Sequence, residues 1–294
     1  MRYPPNLPEP LRRALWNHGP SVARRIVHVS SLAARLKLAT KAPLRVLIDN
    51  TVLFHGVTHE TAWVSTGRTK WGHHEVDTGY SARIPVRAPD KNSREYRNIR
   101  YLPGIAHLAK AGRLHLMTSG ELSVEQDYQP IGRFRGYGYF DLNIFRDVEI
   151  PLVDNRPDHV YGPSWLGLPS TEEARDRRLA ESTDPLFRAL ASQLGQNNSQ
   201  DAWHIRTAET NGMFCFLTMD FKLLKSLNSR AKLEPIRSLK TKILTPEQFG
   251  KYLWLAPINP ALLSYEDASW PVRPDLHWPD SKRRRPKKTP SDNT

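Results

Sequence analysis

Three short and almost continuously apolar segments of the chain predict buried β-strands. They span residues 44–48, 114–118 and 213–218. Each is followed by polar residues, and the segments between them carry helical patterns, including one at 201–209 that Asn211-Gly212 would end. Short apolar strands that alternate with helices are typical of a parallel sheet covered on both faces. The predicted fold class is therefore α/β, with a central parallel sheet flanked by helices in three layers, α/β/α.

The pattern divides the chain into three parts. Residues 1–43 form a basic helical N-terminal arm, and residues 44–250 form the α/β domain, with irregular insertions near 55–103 and 128–198. Residues 251–294 are rich in proline and in basic residues, a composition that predicts a disordered tail. The cationic run in this tail suits phosphate binding or a nuclear localisation signal as well as a solubilising role.

The N-terminal arm has apolar residues at steps of three and four, which predict two short amphipathic helices interrupted at Gly19-Pro20. The apolar positions are Leu11, Leu15, Val22, Ile26, Val29, Leu32 and Leu36. Packing of these helices on the main domain is favoured over direct binding of nucleic acid, because arginine on a helix usually occupies its solvated face. An arginine-rich leader with few acids also matches a transit peptide, an interpretation that ranks below the other two.

Charge and cysteine content narrow the function. The chain has 43 lysines and arginines against 30 acidic residues, a net charge of +13, which favours a polyanionic partner, nucleic acid before membrane. No apolar run is long enough to span a bilayer. The single cysteine, Cys215, excludes an intramolecular disulfide and a cysteine-cluster zinc site, and predicts a reducing, cytoplasmic location.

Candidate chemistry lies where the predicted strands end, since ligands of open parallel sheets bind beyond the carboxyl ends of the strands. Asp49 follows the first strand and Asp220 follows the third, while Glu121 opens the helix after the second and Asp201 opens the helix before the third. Each residue alone is more often a turn or cap residue. Glu125, one helical turn beyond Glu121, is an alternative to it.

Four converging carboxylates would repel one another strongly, so the cluster requires a divalent cation to remain ionised. A set of oxygen ligands selects hard ions such as Mg²⁺ or Mn²⁺ over zinc. A hard-metal site on a basic protein points to chemistry on phosphate esters.

The order of these residues resembles that of PIN-domain ribonucleases. The first block is Leu-Ile-Asp-Asn-Thr-Val-Leu at 47–53, and the second is Thr-Ser-Gly-Glu-Leu at 118–122. The third and most specific block starts at Asp201, continues through Ala208 and Gly212, and ends in Phe-Leu-Thr-Met-Asp at 216–220. Small PIN toxins are much shorter than this chain, which puts a toxin–antitoxin role in doubt.

The resemblance implies a metal-dependent endoribonuclease in which metal-activated water attacks an RNA phosphodiester. By resemblance, Asp49, Glu121, Asp201 and Asp220 would hold one or two Mg²⁺ or Mn²⁺ ions. Thr218 would position Asp220 or the water, and Asn50 would support the site by hydrogen bonding. RNA over DNA, cleavage sequence, homo-oligomer formation and a protein inhibitor are left open by the sequence.

Two other functions compete with this interpretation. A haloacid-dehalogenase-like phosphatase also begins with a strand ending in Asp, but it needs a second Asp where this chain has Thr51. A non-catalytic PIN-like RNA-binding or scaffold protein would keep the acids for structural reasons only. His73-His74-Glu75 resembles a metal cluster, but a solvated loop is favoured there.

Candidate RNA contacts lie in the second insertion and beside the acidic cluster. Arg133, Arg135 and Tyr137 belong to a segment that mixes cations with aromatics, as single-strand binders do, although a β-hairpin packing its aromatics on the domain fits equally well. Lys222, two residues beyond Asp220, is placed to contact a phosphate, or is an ordinary exposed lysine.

Overall fold

The computed structural model describes residues 9–265, apart from 87–89, 91, 128–141, 158–164, 166 and 196–197. The basic run at 282–288 and most of the tail lie outside the described residues. Among the described residues, no helix is both long and apolar enough to cross a membrane.

A parallel four-stranded sheet forms the centre of the fold, in the order β4-β1-β6-β7. Its strands are β1 (Leu44–Ile48), β4 (Leu114–Met117), β6 (Cys215–Leu217) and β7 (Lys242–Leu244). The three strands predicted from the sequence are confirmed, and β7 is an additional edge strand. A second sheet is antiparallel, in the order β3-β2-β5, and contains β2 (Val57–Trp71), β3 (His74–Pro85) and β5 (Leu142–Asn143).

Helices cover both faces of the parallel sheet, which confirms the predicted α/β class. They are α1 (Glu9–Ser30), α2 (Leu32–Leu38), α3 (Asn50–His55), α4 (Arg94–Ile99), α5 (Leu102–Lys110), α6 (Gly120–Asp127), α7 (Thr171–Glu181), α8 (Pro185–Leu194), α9 (Ser199–Thr210), α10 (Phe221–Ser229) and α11 (Pro246–Leu253). In the described part of the chain, 3₁₀ turns span Ile236–Ser238, between α10 and β7, and Pro260–Tyr265, after α11.

Side chains of the central strands alternate between two hydrophobic clusters. Val46 and Ile48 of β1 pack with α1, α2, α5 and α11 on one face, whereas Leu47 packs with α8, α9 and α10 on the other. All three side chains are 0% exposed. A strand buried on both faces needs an unbroken apolar run, which is why its sequence shows no polar alternation.

The segment at 55–103, predicted to be irregular, contains regular structure. β2 and β3 pair antiparallel from His59 to His74, with a register shift between Ser65 and Gly67. Its long arms are rich in exposed polar residues, and that composition hid the strand pattern from the sequence analysis. His73 and His74 lie exposed at the hairpin turn.

The N-terminal arm forms one long helix, α1, followed by a short one, α2, rather than two short helices that break at Gly19-Pro20. α1 continues through Pro20, and the break comes at Ser31 instead of Gly19-Pro20. Small and aliphatic residues such as Ala23 and Val27 are buried against α5 and the core, so tertiary packing outweighs the hydrogen bond that Pro20 lacks. The predicted apolar stripe is the more exposed side of the helix pair: Val22, Ile26, Val29, Leu32 and Leu36 are all exposed.

The ordered fold also extends past residue 250, the expected start of the tail. Leu253, Leu255, Ile258 and Leu263 are each no more than 5% exposed and belong to the core cluster of α1 and α5. Prolines break the regular structure here, but the apolar residues between them still pack.

Gly120 is the first residue of α6, the helix that carries Glu121 and Glu125. Its backbone N donates to Asp154 Oδ1 at 2.7 Å. A Cβ built at Gly120 would lie 2.3 Å from the carbonyl oxygen of Asn155 and 2.8 Å from the Cα of Arg156. Both of these are backbone atoms, so a side chain would force α6 and residues 154–156 apart.

Gly120→Ala is therefore expected to destabilise the protein by about 2–3 kcal/mol, as overpacking against backbone does. The control is Gly112→Ala, where φ is +67° but nothing lies within 4 Å of an added Cβ. Backbone strain alone should cost about 1 kcal/mol there. Urea unfolding of the two variants measures the difference, and equal costs would show that the close approach at Gly120 is unimportant.

Candidate active site

Parallel pairing of β1 with β6 brings Asp49 and Thr218 to one edge of the sheet. Ile48 lies opposite Leu217 in the register, and the backbone N of Asp49 donates to Leu217 O at 2.9 Å. The next residue on each strand is polar, so both side chains emerge at the carboxyl end. This is the arrangement that the sequence predicted.

Asp49 is held by two hydroxyl groups. Its Oδ2 accepts from Thr218 Oγ1 and from Thr51 Oγ1, each at 2.5 Å. Thr51 Oγ1 in turn accepts from the backbone N of Met219 at 3.0 Å, and Thr218 Oγ1 accepts from the backbone N of Asp220 at 2.9 Å. The hydroxyls therefore fix the orientation of Asp49 relative to the loop that carries Asp220.

Thr51 was missed as a site residue by sequence reasoning, which weighed it only as evidence against a phosphatase. Its position two residues after Asp49, in the first turn of α3, was the available signal. Burial raises the pKa of Asp49, the hydrogen bonds from Thr218 and Thr51 lower it, and the charge of Asp220 raises it.

Asp220 is the N-cap of α10. Its Oδ1 accepts from the backbone N of Lys222 at 2.8 Å and of Leu223 at 2.9 Å. Asp220 therefore has the helix-capping role that is common for an aspartate after a strand. It does not exclude a ligand role, because both of these bonds end on one carboxylate oxygen, and Asp220 also acts electrostatically on Asp49 and Asp201.

Asp201 experiences the combined charge of the cluster most strongly. Burial, together with the negative charges of Asp220, Asp49 and Glu125, raises the pKa of Asp201 to about 7. It lies in the first turn of α9, where the helix dipole favours a negative charge. Burial and the neighbouring carboxylates together therefore outweigh the dipole, and the charges of Asp220, Asp49 and Glu125 all act on Asp201.

Glu121 takes a different partner. Arg178 of α7 binds it through Nη2, at 2.8 Å from Oε1 and 3.1 Å from Oε2, and through Nε, at 3.2 Å from Oε1. The Glu121 side chain is 9% exposed in this ion pair. Arg178 lies in the second insertion and has no sequence signature, so this pairing could not be predicted.

Glu125 is directed towards the cluster by Asn50. Asn50 is buried, and its Nδ2 donates to Glu125 Oε2 at 2.8 Å and to Leu122 O at 2.9 Å. Its Oδ1 accepts from Gln126 Nε2 at 2.6 Å. Asn50 thus fastens α3 to α6, a supporting position of the kind that the sequence suggested for it.

The residues proposed for nucleic-acid contact are only partly described. Lys222 is exposed at the start of α10, directly beside Asp220. Arg133, Arg135 and Tyr137 lie outside the described residues. Sequence reasoning missed Arg94, whose guanidinium lies over the Phe221 ring at 4.0 Å from its centroid.

The donor set suits a hard cation, because Asp49, Asp201, Asp220 and Glu125 offer only carboxylate oxygens. Burial first, and then the negative charges of Asp220, Asp49 and Glu125, raise the pKa of Asp201, and a bound cation would offset both effects. Within the described part of the chain, however, no group of three His, Cys, Asp or Glu side chains is already placed to hold a metal.

Comparison of the chain with protein-family models, with curated proteins and with solved structures found no match.

The pKa of Asp201 makes a prediction about stability without metal. The folded value of about 7 lies above the ordinary value of 3.8, so the folded state binds more protons between them and loses stability as the pH rises through that window. Asp201→Asn removes this loss. Its stability relative to wild type should increase by about 2 kcal/mol from pH 5 to pH 8.

Urea unfolding in EDTA at the two pH values measures this difference. A difference in unfolding free energy that does not change with pH would show that Asp201 does not experience the neighbouring charges.

Proposed function

We propose that this protein is a metal-dependent endoribonuclease of the PIN type, acting in the cytoplasm. The observation that carries the proposal is that parallel pairing of β1 with β6 brings Asp49 and the loop of Asp220 to one edge of the sheet. There, in addition to burial, the charges of Asp220, Asp49 and Glu125 raise the pKa of Asp201. Such a cluster on a chain of net charge +13 suits a metal ion and a polyanionic substrate.

The proposed ligands of Mg²⁺ or Mn²⁺ are Asp49, Asp201 and Asp220, with one glutamate of α6. The chemistry that such an ion supplies when bound is acidification of water for attack on phosphorus and stabilisation of the leaving oxygen. Thr51 and Thr218 keep Asp49 oriented through their 2.5 Å hydrogen bonds, so that its carboxylate needs little reorganisation.

Exposed cations beside the cluster support a nucleic-acid substrate. Lys222 and Arg94 flank Asp220 and Phe221, where a phosphate group of a bound strand would gain charge-assisted contacts. RNA as the substrate, in preference to DNA, follows from the resemblance to PIN-domain ribonucleases.

The rival proposal of a non-catalytic RNA-binding or scaffold protein is favoured by one observation. Asp220 caps α10 and Glu121 is neutralised by Arg178, so two of the predicted ligands already have structural partners. Cleavage assays separate the two functions.

The protein should cleave RNA with Mg²⁺ or Mn²⁺ and stop when EDTA is added. Asp220→Asn should lower cleavage by roughly a hundredfold or more, because the ion loses a charged ligand. Folding should survive the change, since asparagine caps a helix as well as aspartate does. A gel assay on labelled RNA, with the melting temperature measured alongside, tests both statements.

The matched control is Asp184→Asn, which alters the aspartate N-cap of α8 outside the cluster. Asp184 Oδ1 accepts from the backbone N of Phe187 at 2.8 Å, and its Oδ2 binds Arg206. This variant should cleave RNA at the wild-type rate. The proposed function would be contradicted if Asp220→Asn cleaved RNA at the wild-type rate, or if cleavage survived thorough chelation of metal ions.

The two glutamates of α6 can be separated by the same assay. Glu125→Gln should lower cleavage by at least about tenfold, because Glu125 contributes to the negative potential at Asp201. Glu121→Gln should mainly lower stability, because it leaves the guanidinium of Arg178 without its carboxylate. The opposite pattern would identify Glu121 as the ligand and Arg178 as a group that the ion displaces.

A further inference from the structure

A cavity of about 430 Å³ lies between α1, α5 and residues 143–147, away from the carboxylate cluster. None of Asp49, Glu125, Asp201 and Asp220 lines it. Its volume falls within the roughly 300–1,000 Å³ that is typical of small-molecule sites.

The cavity has two chemically different parts. Its floor is apolar and well buried, formed by Val27, Pro103, Ala106, Ile144 and Leu263. Its rim is cationic, formed by Arg24, Arg25, Lys110 and Arg146. Two histidines, exposed His28 and half-buried His107, also line the cavity.

Most of the positive charge on the rim is not compensated by the protein. Asp147 is the one acidic residue among the described residues of the lining, and it pairs with Lys110 at 3.1 Å. Among the described residues, the side chain of Arg24 donates to Pro20 O, at 3.4 Å, and has no acidic partner. The side chains of Arg25 and Arg146 form no hydrogen bond or ion pair with the described residues, although the backbone N of Arg146 donates to Asn143 O at 3.1 Å.

His107 also experiences this excess of positive charge. His28 and His107 meet edge to face, with ring centroids 5.6 Å apart. Arg35 Nη1 lies 2.7 Å from His28 Nε2 and 3.0 Å from its Nδ1, so a guanidinium that can only donate faces this ring. Burial lowers the pKa of His107, and His28, Arg35 and Lys110 lower it further. These groups oppose any additional positive charge in the cavity.

We propose that this cavity binds a nucleoside monophosphate group, with the base on the apolar floor and the phosphate among Arg25, Arg146 and Lys110. Four cations around one cavity repel each other, and a phosphate would relieve that repulsion through charge-assisted hydrogen bonds. Inorganic phosphate would leave the floor uncovered, and an apolar molecule would leave the cations unneutralised. A nucleotide satisfies both parts.

Isothermal titration calorimetry in EDTA at low ionic strength tests the proposal without reference to catalysis. AMP should bind at least about tenfold more tightly than adenosine, which lacks the phosphate, and than inorganic phosphate, which lacks the base. Arg146→Gln should weaken AMP binding by at least about tenfold, because the guanidinium of this rim residue has no acidic partner among the described residues. Arg177→Gln, an equal change of charge at an exposed position on α7, should leave AMP binding unchanged.

The source of the nucleotide is resolved by competition. A short RNA with a 5′-phosphate is titrated against the AMP complex beside the same RNA with a 5′-hydroxyl. Displacement by the phosphorylated RNA alone identifies a strand end as the occupant, and displacement by neither identifies the free nucleotide; both outcomes support the site. The proposal would be overturned if AMP bound no more tightly than adenosine or than inorganic phosphate. It would also be overturned if Arg146→Gln and Arg177→Gln had equal effects on AMP binding. Because no metal is present, failure here would leave the proposed nuclease function untouched.

Discussion

The parallel pairing of β1 with strands on both its sides is the constraint on which the rest of the structure depends. β1 is hydrogen-bonded to β4 and to β6 and is buried on both faces, so these neighbours fix its position and its register. All three strands end at the same edge. The residues that follow them, Asp49, Thr118 and Thr218, are therefore brought together although they are far apart in sequence.

Burying several carboxylates at this edge of the sheet costs free energy that core packing does not offset. Asp49 and Asp201 are both buried enough to have raised pKa values, and the neighbouring carboxylates raise them further. Local contacts offset part of this cost: two hydroxyl groups donate hydrogen bonds to Asp49, and a guanidinium pairs with Glu121. The part that remains, centred on Asp201, has no compensating cation among the groups that shift its pKa, and this remainder is what an external ion would neutralise.

How far the sequence predicted this structure depends on where the determining contacts lie. β1, β4 and β6 were predictable because a doubly buried strand needs an apolar run, and Asp49 and Asp220 followed from their positions at strand ends. The β2–β3 hairpin was not predictable, because most of its length is exposed and its strand pairing leaves little hydrophobic pattern. α1 passes through Pro20 since packing against α5 decides its length, a contact distant in sequence.

The candidate site, too, was predictable from the sequence only in part. Which acids lie at the sheet edge was readable from the chain, but which glutamate of α6 faces the cluster depends on two tertiary contacts. These are the contact of Arg178 of α7 with Glu121 and that of Asn50 of α3 with Glu125. The side-chain environment of Glu121 and Glu125 is fixed by tertiary contacts alone. Periodicity on α6 places them one turn apart on the same face and gives no means of choosing between them.

Charge separation links the carboxylate cluster and the basic cavity. A chain with 43 basic and 30 acidic residues could neutralise most of its carboxylates internally, yet Asp201 has only negative charges acting on it and Arg146 has no acidic partner among the described residues. Groups of like charge held together cost folding free energy, and a ligand of opposite charge that binds only the folded state returns it as stability. A ligand that bound at either place would therefore also stabilise the fold, through β1 and α3 at the cluster and through the packing of α1 on α5 at the cavity.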